Sequence, residues 1–169
     1  GAGPLVDHAT RKRVRLALEG AAAVTVRDEQ TRMLLDEIGI RREIMVTADP
    51  AFLLEPERLP PARWDNAEAW PINPEARLIG ISVREPGPAA PDLEVGHYHR
   101  LIANAADFMI ERFDAEVVFF PMERRVDDMQ HSHAVVGQMG LARRATVLKR
   151  EYTPGQLLSV LSHFDLVMG

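Results

Sequence analysis

Apolar positions recur along this chain in two rhythms, and the rhythms alternate. Val14, Ala17, Leu18 and Ala21 share one face of a 3.6-residue period behind Asp7, a residue placed to cap. That pattern predicts a helix from about His8 to Gly20. Ala22–Val26 then reads as a short buried strand. Asp28 is placed to cap a second helix in which Met33, Leu34, Leu35 and Ile38 are apolar and which Gly39 stops. Glu43–Thr47 predicts another short strand, ending in Ala48-Asp49-Pro50.

The texture changes from Glu55 to Pro74. Pro56, Pro60, Pro61, Pro71 and Pro74 break any regular element, with Trp64 and Trp70 among them. This stretch reads as an interdomain connector whose tryptophans pack onto a neighbouring surface. The expected division is therefore 1–54 for a first domain, 55–76 for the connector and 77–169 for a second domain.

Alternation resumes at Arg77. Arg77–Val83 predicts a strand, His97–Phe113 a helix, Glu116–Phe120 an apolar strand, Asp128–Met139 a helix and Ala145–Leu148 a strand. Thr153-Pro154-Gly155-Gln156 has the form of a capping box with proline at the first helical position. It opens a helix reaching Ser162, and Phe164–Met168 closes the series as a strand. Short, continuously apolar strands alternating with helices predict an α/β fold with parallel sheets covered on both faces.

Composition narrows the function. A formal net charge of −5, with both signs interspersed, argues against a nucleic-acid binder, which needs a net basic face. The one basic run, Arg11, Lys12, Arg13 and Arg15, falls inside a helical pattern and reads as a solvated face. No cysteine is present, so thiolate chemistry and disulfides are excluded. No apolar run approaches the roughly 20 residues that span a bilayer. The start, Gly1-Ala2-Gly3-Pro4, has no signal-peptide pattern and no initiator methionine, as expected of a piece of something longer.

Ligands of open parallel sheets bind outside the carboxyl ends of the strands. That rule selects Arg84 and Glu85 after the first strand of the second half. It selects Pro121 to Arg124, Asp127, Asp128 and His131 after the second, and Lys149, Arg150 and Tyr152 after the third. Arg84 is placed for bidentate contacts to a phosphate or carboxylate, or for pairing with a loop carboxylate. Asp127 and Asp128 suit a general base or contacts to sugar hydroxyls, or alternatively a helix cap. His97 with His99, and His131 with His133, lack the i, i+4 spacing of a helical metal pair, so no metal is expected. His131 is the histidine best placed for function, or alternatively a surface or capping-region residue. Gly80-Ile81-Ser82 lacks the further glycines of a dinucleotide fingerprint, and no Gly-x-Ser-x-Gly elbow occurs.

Several segments, taken in order, resemble one family. Ala23–Glu29 resembles the "VRD" strand-to-helix segment of polysaccharide pyruvyl transferases, and Val46–Ala51 their "ADPA" segment. Gly80–Arg84 is similar to the strand that opens their second domain. Phe120-Pro121-Met122, followed by Asp127-Asp128, resembles the next strand segment. Tyr152 through Phe164–Gly169 matches the approach to the last motif of the family. The resemblance covers essentially the whole chain and rests on order and spacing.

The resemblance implies a Rossmann-like, two-domain architecture of the glycosyltransferase-B kind, only partly covered by this chain. It implies a cytoplasmic enzyme, peripheral at most to the inner face of the membrane. The implied reaction moves an enolpyruvyl unit from phosphoenolpyruvate, as co-substrate with no other cofactor, to a sugar of a cell-wall polysaccharide, an exopolysaccharide or a lipid-linked saccharide precursor. Arg84, Lys149 and Arg150 would then bind the donor anion, and Asp127, Asp128 and His131 would contact the acceptor or move protons. The family's Arg-Leu-His motif would follow Gly169. As a fragment, the isolated chain is expected to be marginally stable and inactive. A nucleotide-sugar glycosyltransferase or epimerase shares the fold and is the first rival; a non-catalytic α/β binding module is the second.

Overall fold

The computed structural model describes residues 5–59, 75–84, 90–122, 126–149 and 152–169, with the side chains of 126 and 127 outside that set. The chain divides into two compact units, Gly1–Leu54 and Glu55–Gly169.

In the first unit, helix α1 (His8–Glu19) leads into strand β1 (Val24–Val26), helix α2 (Glu29–Glu37) and strand β2 (Ile44–Val46). Asp7 accepts from the backbone N–H of Thr10 at 2.7 Å and Asp28 from that of Thr31 at 2.6 Å. Both predicted caps are thus made, each satisfying an amide that the first helical turn leaves without a partner. β1 and β2 pair in parallel, Val24 opposite Ile44 and Val26 opposite Val46. Val24, Leu35, Ile38 and Ile40 form the small core, with Val14, Leu18, Val26 and Ile44 packed against it. These strand residues share one parity, so both helices cover the same face of the sheet. Thr25 and Met45 point to the other face and are exposed. Among the described residues, the expectation of cover on both faces therefore fails for this unit: it brings two helices, and both lie on one side. Met33, expected among the apolar positions of α2, is likewise exposed because Leu35 and Ile38 take the inward face. A 3-10 turn at Pro50–Leu53, capped by Asp49, follows β2 and was not evident from the apolar pattern.

The second unit is a four-stranded, all-parallel sheet. Its elements are β3 (Arg77–Ile81), α3 (Val95–Phe113), β4 (Ala115–Phe119), α4 (Val126–Val136), β5 (Ala145–Val147), α5 (Pro154–Leu161) and β6 (Leu166–Met168). Strand order is β5-β4-β3-β6. Chain order moves outward from β3 through β4 to β5, then jumps back past β3 to β6. Right-handed crossovers place helices on opposite faces when the direction of travel reverses. The core shows that result. Ile79, Ile81, Val117 and Phe119 pack with Ala103, Ala106 and Ile110 of α3 and Val135 of α4. Val118, Phe120 and Leu148 face the other way, against Val160, Leu157 and Leu161 of α5.

α3 begins two residues earlier than its apolar pattern predicts. Glu94, an uncommon cap, accepts from Gly96 at 2.7 Å and from His97 at 2.6 Å. α4 runs from Val126 to Val136, earlier at both ends than expected. Asp107 of α3 accepts from the amides of Gly140 and Leu141, which fixes the turn after α4. A second 3-10 turn, Ala142–Arg144, sets Arg144 between Asp114 (2.6 Å) and Glu116 (3.3 Å) at the amino edge of the sheet. The capping box of α5 forms as predicted.

The beginning of the expected connector belongs by contact to the second unit. The Glu57 amide donates to the Gly155 carbonyl at 3.0 Å, Thr153 Oγ1 donates to Glu57 Oε2 at 2.7 Å, and Ser159 Oγ donates to the Glu57 carbonyl at 2.6 Å. Gly155 is required there, since a Cβ would stand 2.8 Å from the Glu55 carbonyl. Trp64 and Trp70, with Pro60, Pro61, Pro71 and Pro74, lie outside the described residues.

Candidate active site

Each unit offers a surface to compare as a site. In the first unit an open groove of about 600 Å³ runs between α1 and α2 beside β1, lined chiefly by Val14, Leu18, Val24, Val26 and Leu35. Its charged groups are Arg27 and Asp49, which bond to each other at 2.6 Å. Arg27 follows β1 and Asp49 follows β2, so this pair ties the carboxyl ends of two neighbouring strands. Asp49 also caps Ala51 at 3.0 Å. The Ala51 amide first, and the Arg27 guanidinium second, hold its carboxyl below the ordinary carboxylate value. The cation is thereby answered within the protein, and the groove walls are apolar. Volume alone does not make this groove a site for a small anion.

The carboxyl edge of the second sheet is different. A crevice opens in parallel sheets where the strand order reverses, and here that point lies between β3 and β6. The Ser82 amide donates to the Met168 carbonyl at 2.9 Å, so the two strands stay paired to the brink. A Cβ on Gly169 would stand 3.5 Å from that of Ser82. Arg84 follows two residues on and is exposed, and no carboxylate among the described residues pairs with it. Lys149, exposed, follows β5. β4 lies between β3 and β5, so the two cation-bearing strands are about 10 Å apart, twice the usual spacing. Arg150 and Glu85 lie outside the described residues.

β4 delivers the other candidates. Asp127 and Asp128 fall inside the first turn of α4, where negative charge is favoured by the helix dipole. The side chain of Asp127 lies outside the described set. That of Asp128 is buried, and its Oδ2 accepts from the Met122 amide at 3.2 Å, which pins the loop leaving β4. Ser132 Oγ, one turn on, donates to the Asp128 carbonyl at 2.8 Å.

His131 is half-buried in the second turn of α4, and its Nδ1 lies 2.8 Å from Nε2 of His99 on α3. The ring centroids are 5.0 Å apart. His99 is 6% exposed. Burial first, and the neighbouring His131 second, lower its pKa below the ordinary 6.5, against a weaker opposite pull from Glu94. The sequence pairs His97 with His99 and His131 with His133; the fold pairs His99 with His131 and leaves His97 and His133 exposed. A clue to His99 was available in its place near the start of a helix that enters from the ligand edge. Its partner, 32 residues away, was not legible. Among the described residues no group of three metal-ligating side chains converges.

A family model for polysaccharide pyruvyl transferase matches residues 1–169. The chain belongs to that family. No curated protein matches it. Pyruvylation of polysaccharide is the family's reaction. In this pyruvyl transferase the two segments that resemble the family's "VRD" and "ADPA" motifs meet as the Arg27–Asp49 bond and the caps of Asp28 and Asp49. Among the described residues no helix is long and apolar enough to cross a membrane.

Proposed function

We propose that this pyruvyl transferase takes its pyruvyl unit from phosphoenolpyruvate and closes it as a ketal across two hydroxyls of a sugar, in a cell-surface polysaccharide or its lipid-linked precursor. The observation that carries this reading is Arg84, exposed and without a described carboxylate partner at the reversal point of the sheet. A planar guanidinium there suits a carboxylate or a phosphate, each of which it can hold through two parallel bonds. Lys149, with Arg150 beside it in sequence, supplies further positive charge along the same edge. Phosphoenolpyruvate carries one anion at each end, and cations on two non-adjacent strands fit such a molecule.

The reaction balances without an oxidant or metal-bound intermediate. The donor's C3 methylene takes up a proton, and its C2 accepts the first sugar oxygen. The C2–O bond to phosphate then breaks as the second sugar oxygen attacks C2. One hydroxyl proton ends on C3 and the other leaves with phosphate. Proton traffic of this kind needs a side chain that can both give and take a proton, and an imidazole such as that of His131 has one nitrogen for each task. Asp127 is assigned to an acceptor hydroxyl, and Asp128 to holding the Pro121-Met122 loop in place.

Calorimetry on the full-length protein tests the donor. Phosphoenolpyruvate binds the wild type, and Arg84→Ala weakens that binding by at least about tenfold. Binding of UDP with no binding of phosphoenolpyruvate overturns the reading and puts a nucleotide-sugar at this edge instead.

A further inference from the structure

The imidazoles of His99 and His131 touch through a single N···N contact of 2.8 Å, from α3 to α4, just inside the edge where α4 begins. One ring must donate and the other accept. We propose that His99 is a positioning residue for His131: its Nε2 accepts the Nδ1–H of His131, fixes that tautomer, and leaves His131 Nε2 as the nitrogen that exchanges protons with the reacting groups.

The direction of the bond follows from chemistry. Once His131 takes up a proton, both of its nitrogens are donors, so only an accepting His99 keeps the contact. A protonated or Nε2–H form of His99 would set donor against donor. The burial of His99 favours its neutral form, which can accept at Nε2. The arrangement resembles a base and its orienting partner, with a neutral imidazole in the place usually held by a carboxylate. Glu94, which caps α3, pulls weakly the other way, toward a protonated His99. Tyr98 packs beside the same ring, with centroids 5.9 Å apart. In the reaction given above, protonated His131 delivers its Nε2 proton to C3, the C2=C3 pair forming that C–H bond as the first sugar oxygen bonds to C2, and Nε2 then takes the proton that the hydroxyl gives up. No other atom changes hands at this pair.

The identity of the reacting atoms rests on the donor reading, which wild-type turnover of phosphoenolpyruvate tests by itself. The pair is tested separately, on the full-length protein. Two-bond proton–nitrogen spectra of histidine-labelled wild type are expected to show His131 as the Nδ1–H tautomer at neutral pH; an Nε2–H tautomer overturns the proposal. In turnover, His99→Leu is expected to lower kcat by about 10- to 100-fold with KM for phosphoenolpyruvate within about twofold. His99→Gln places an amide oxygen near the position of Nε2 and is expected to restore kcat to within about fivefold of wild type. Unchanged kcat in His99→Leu, or equal losses in the Leu and Gln variants, shows a packing contact between helices and overturns the assignment. Should the Leu variant fail to fold, the wild-type tautomer still decides.

Discussion

Gly80 sits in the middle of β3 with its missing side chain turned toward α5. A Cβ there would overlap the ring of Phe164 and stand 2.9 Å from Cε1 of Phe120. Those rings stack at 5.7 Å and close the second face of the sheet. Gly80→Ala is therefore expected to destabilise the second unit by about 2 kcal/mol, the usual cost of forcing a methyl into a packed core, as a lowered urea midpoint with unchanged slope. In the sequence this glycine reads only as a failed cofactor fingerprint. Nothing in its neighbours reveals Phe164, 84 positions later, as the reason for it. Arg84 and His131 could be singled out as candidates because position after a strand is itself a site signal. Arg27 and Asp49 were legible only as motif letters, and their mutual bond became visible with the pairing of β1 and β2.

At the level of elements, local signals carried far. Asp7, Asp28 and the Thr153 box start their helices where side-chain chemistry says they should. Boundaries set by less common devices were displaced, as where the Glu94 carboxylate starts α3 ahead of its first apolar residues. The 3-10 turns escaped because they are too short to show a period. The α3–α4 contact also links stability to pH. The pKa of His99 in the fold lies below its ordinary value of 6.5. The unfolded chain therefore takes up a proton first as pH falls. Stability from this group is complete above about pH 6.5 and is lost between there and the lower folded value. His131 opposes protonation of His99 from α4, and Glu94 favours it weakly from the α3 cap. The urea midpoint of the second unit is expected to fall between about pH 7.5 and 5.5, and less steeply in His99→Gln.

Across the whole molecule, alternation of strand and helix predicted parallel sheets, and the second unit supplies one covered on both faces. The strand order was beyond reach of the pattern, since β6 is equally apolar beside β3 or beside β5. That order matters most for the proposed site, because it alone places the reversal point beside Arg84. It also joins strands far apart in the chain, here at the amino end of the sheet. The Leu78 amide bonds to the Asp165 carboxylate 87 positions away, and the Asp165 amide returns to the Leu78 carbonyl.

A ribosome that has released β3, β4 and β5 has made strands able to pair in order, while one flank of β3 still waits for β6. The crevice of the sheet is then a late product of synthesis, and that open flank is a place for wrong partners to add. In refolding followed by pulsed hydrogen exchange, the Phe120 amide, bonded to Ile81, is expected to gain protection before the Ser82 amide, bonded to Met168. Protection of both in a single phase would mean that β6 joins the nucleus after all. If Ser82 does lag, the chain holds most of its core before it owns a binding edge, and substitutions in β6 act on yield during synthesis as strongly as on the finished enzyme.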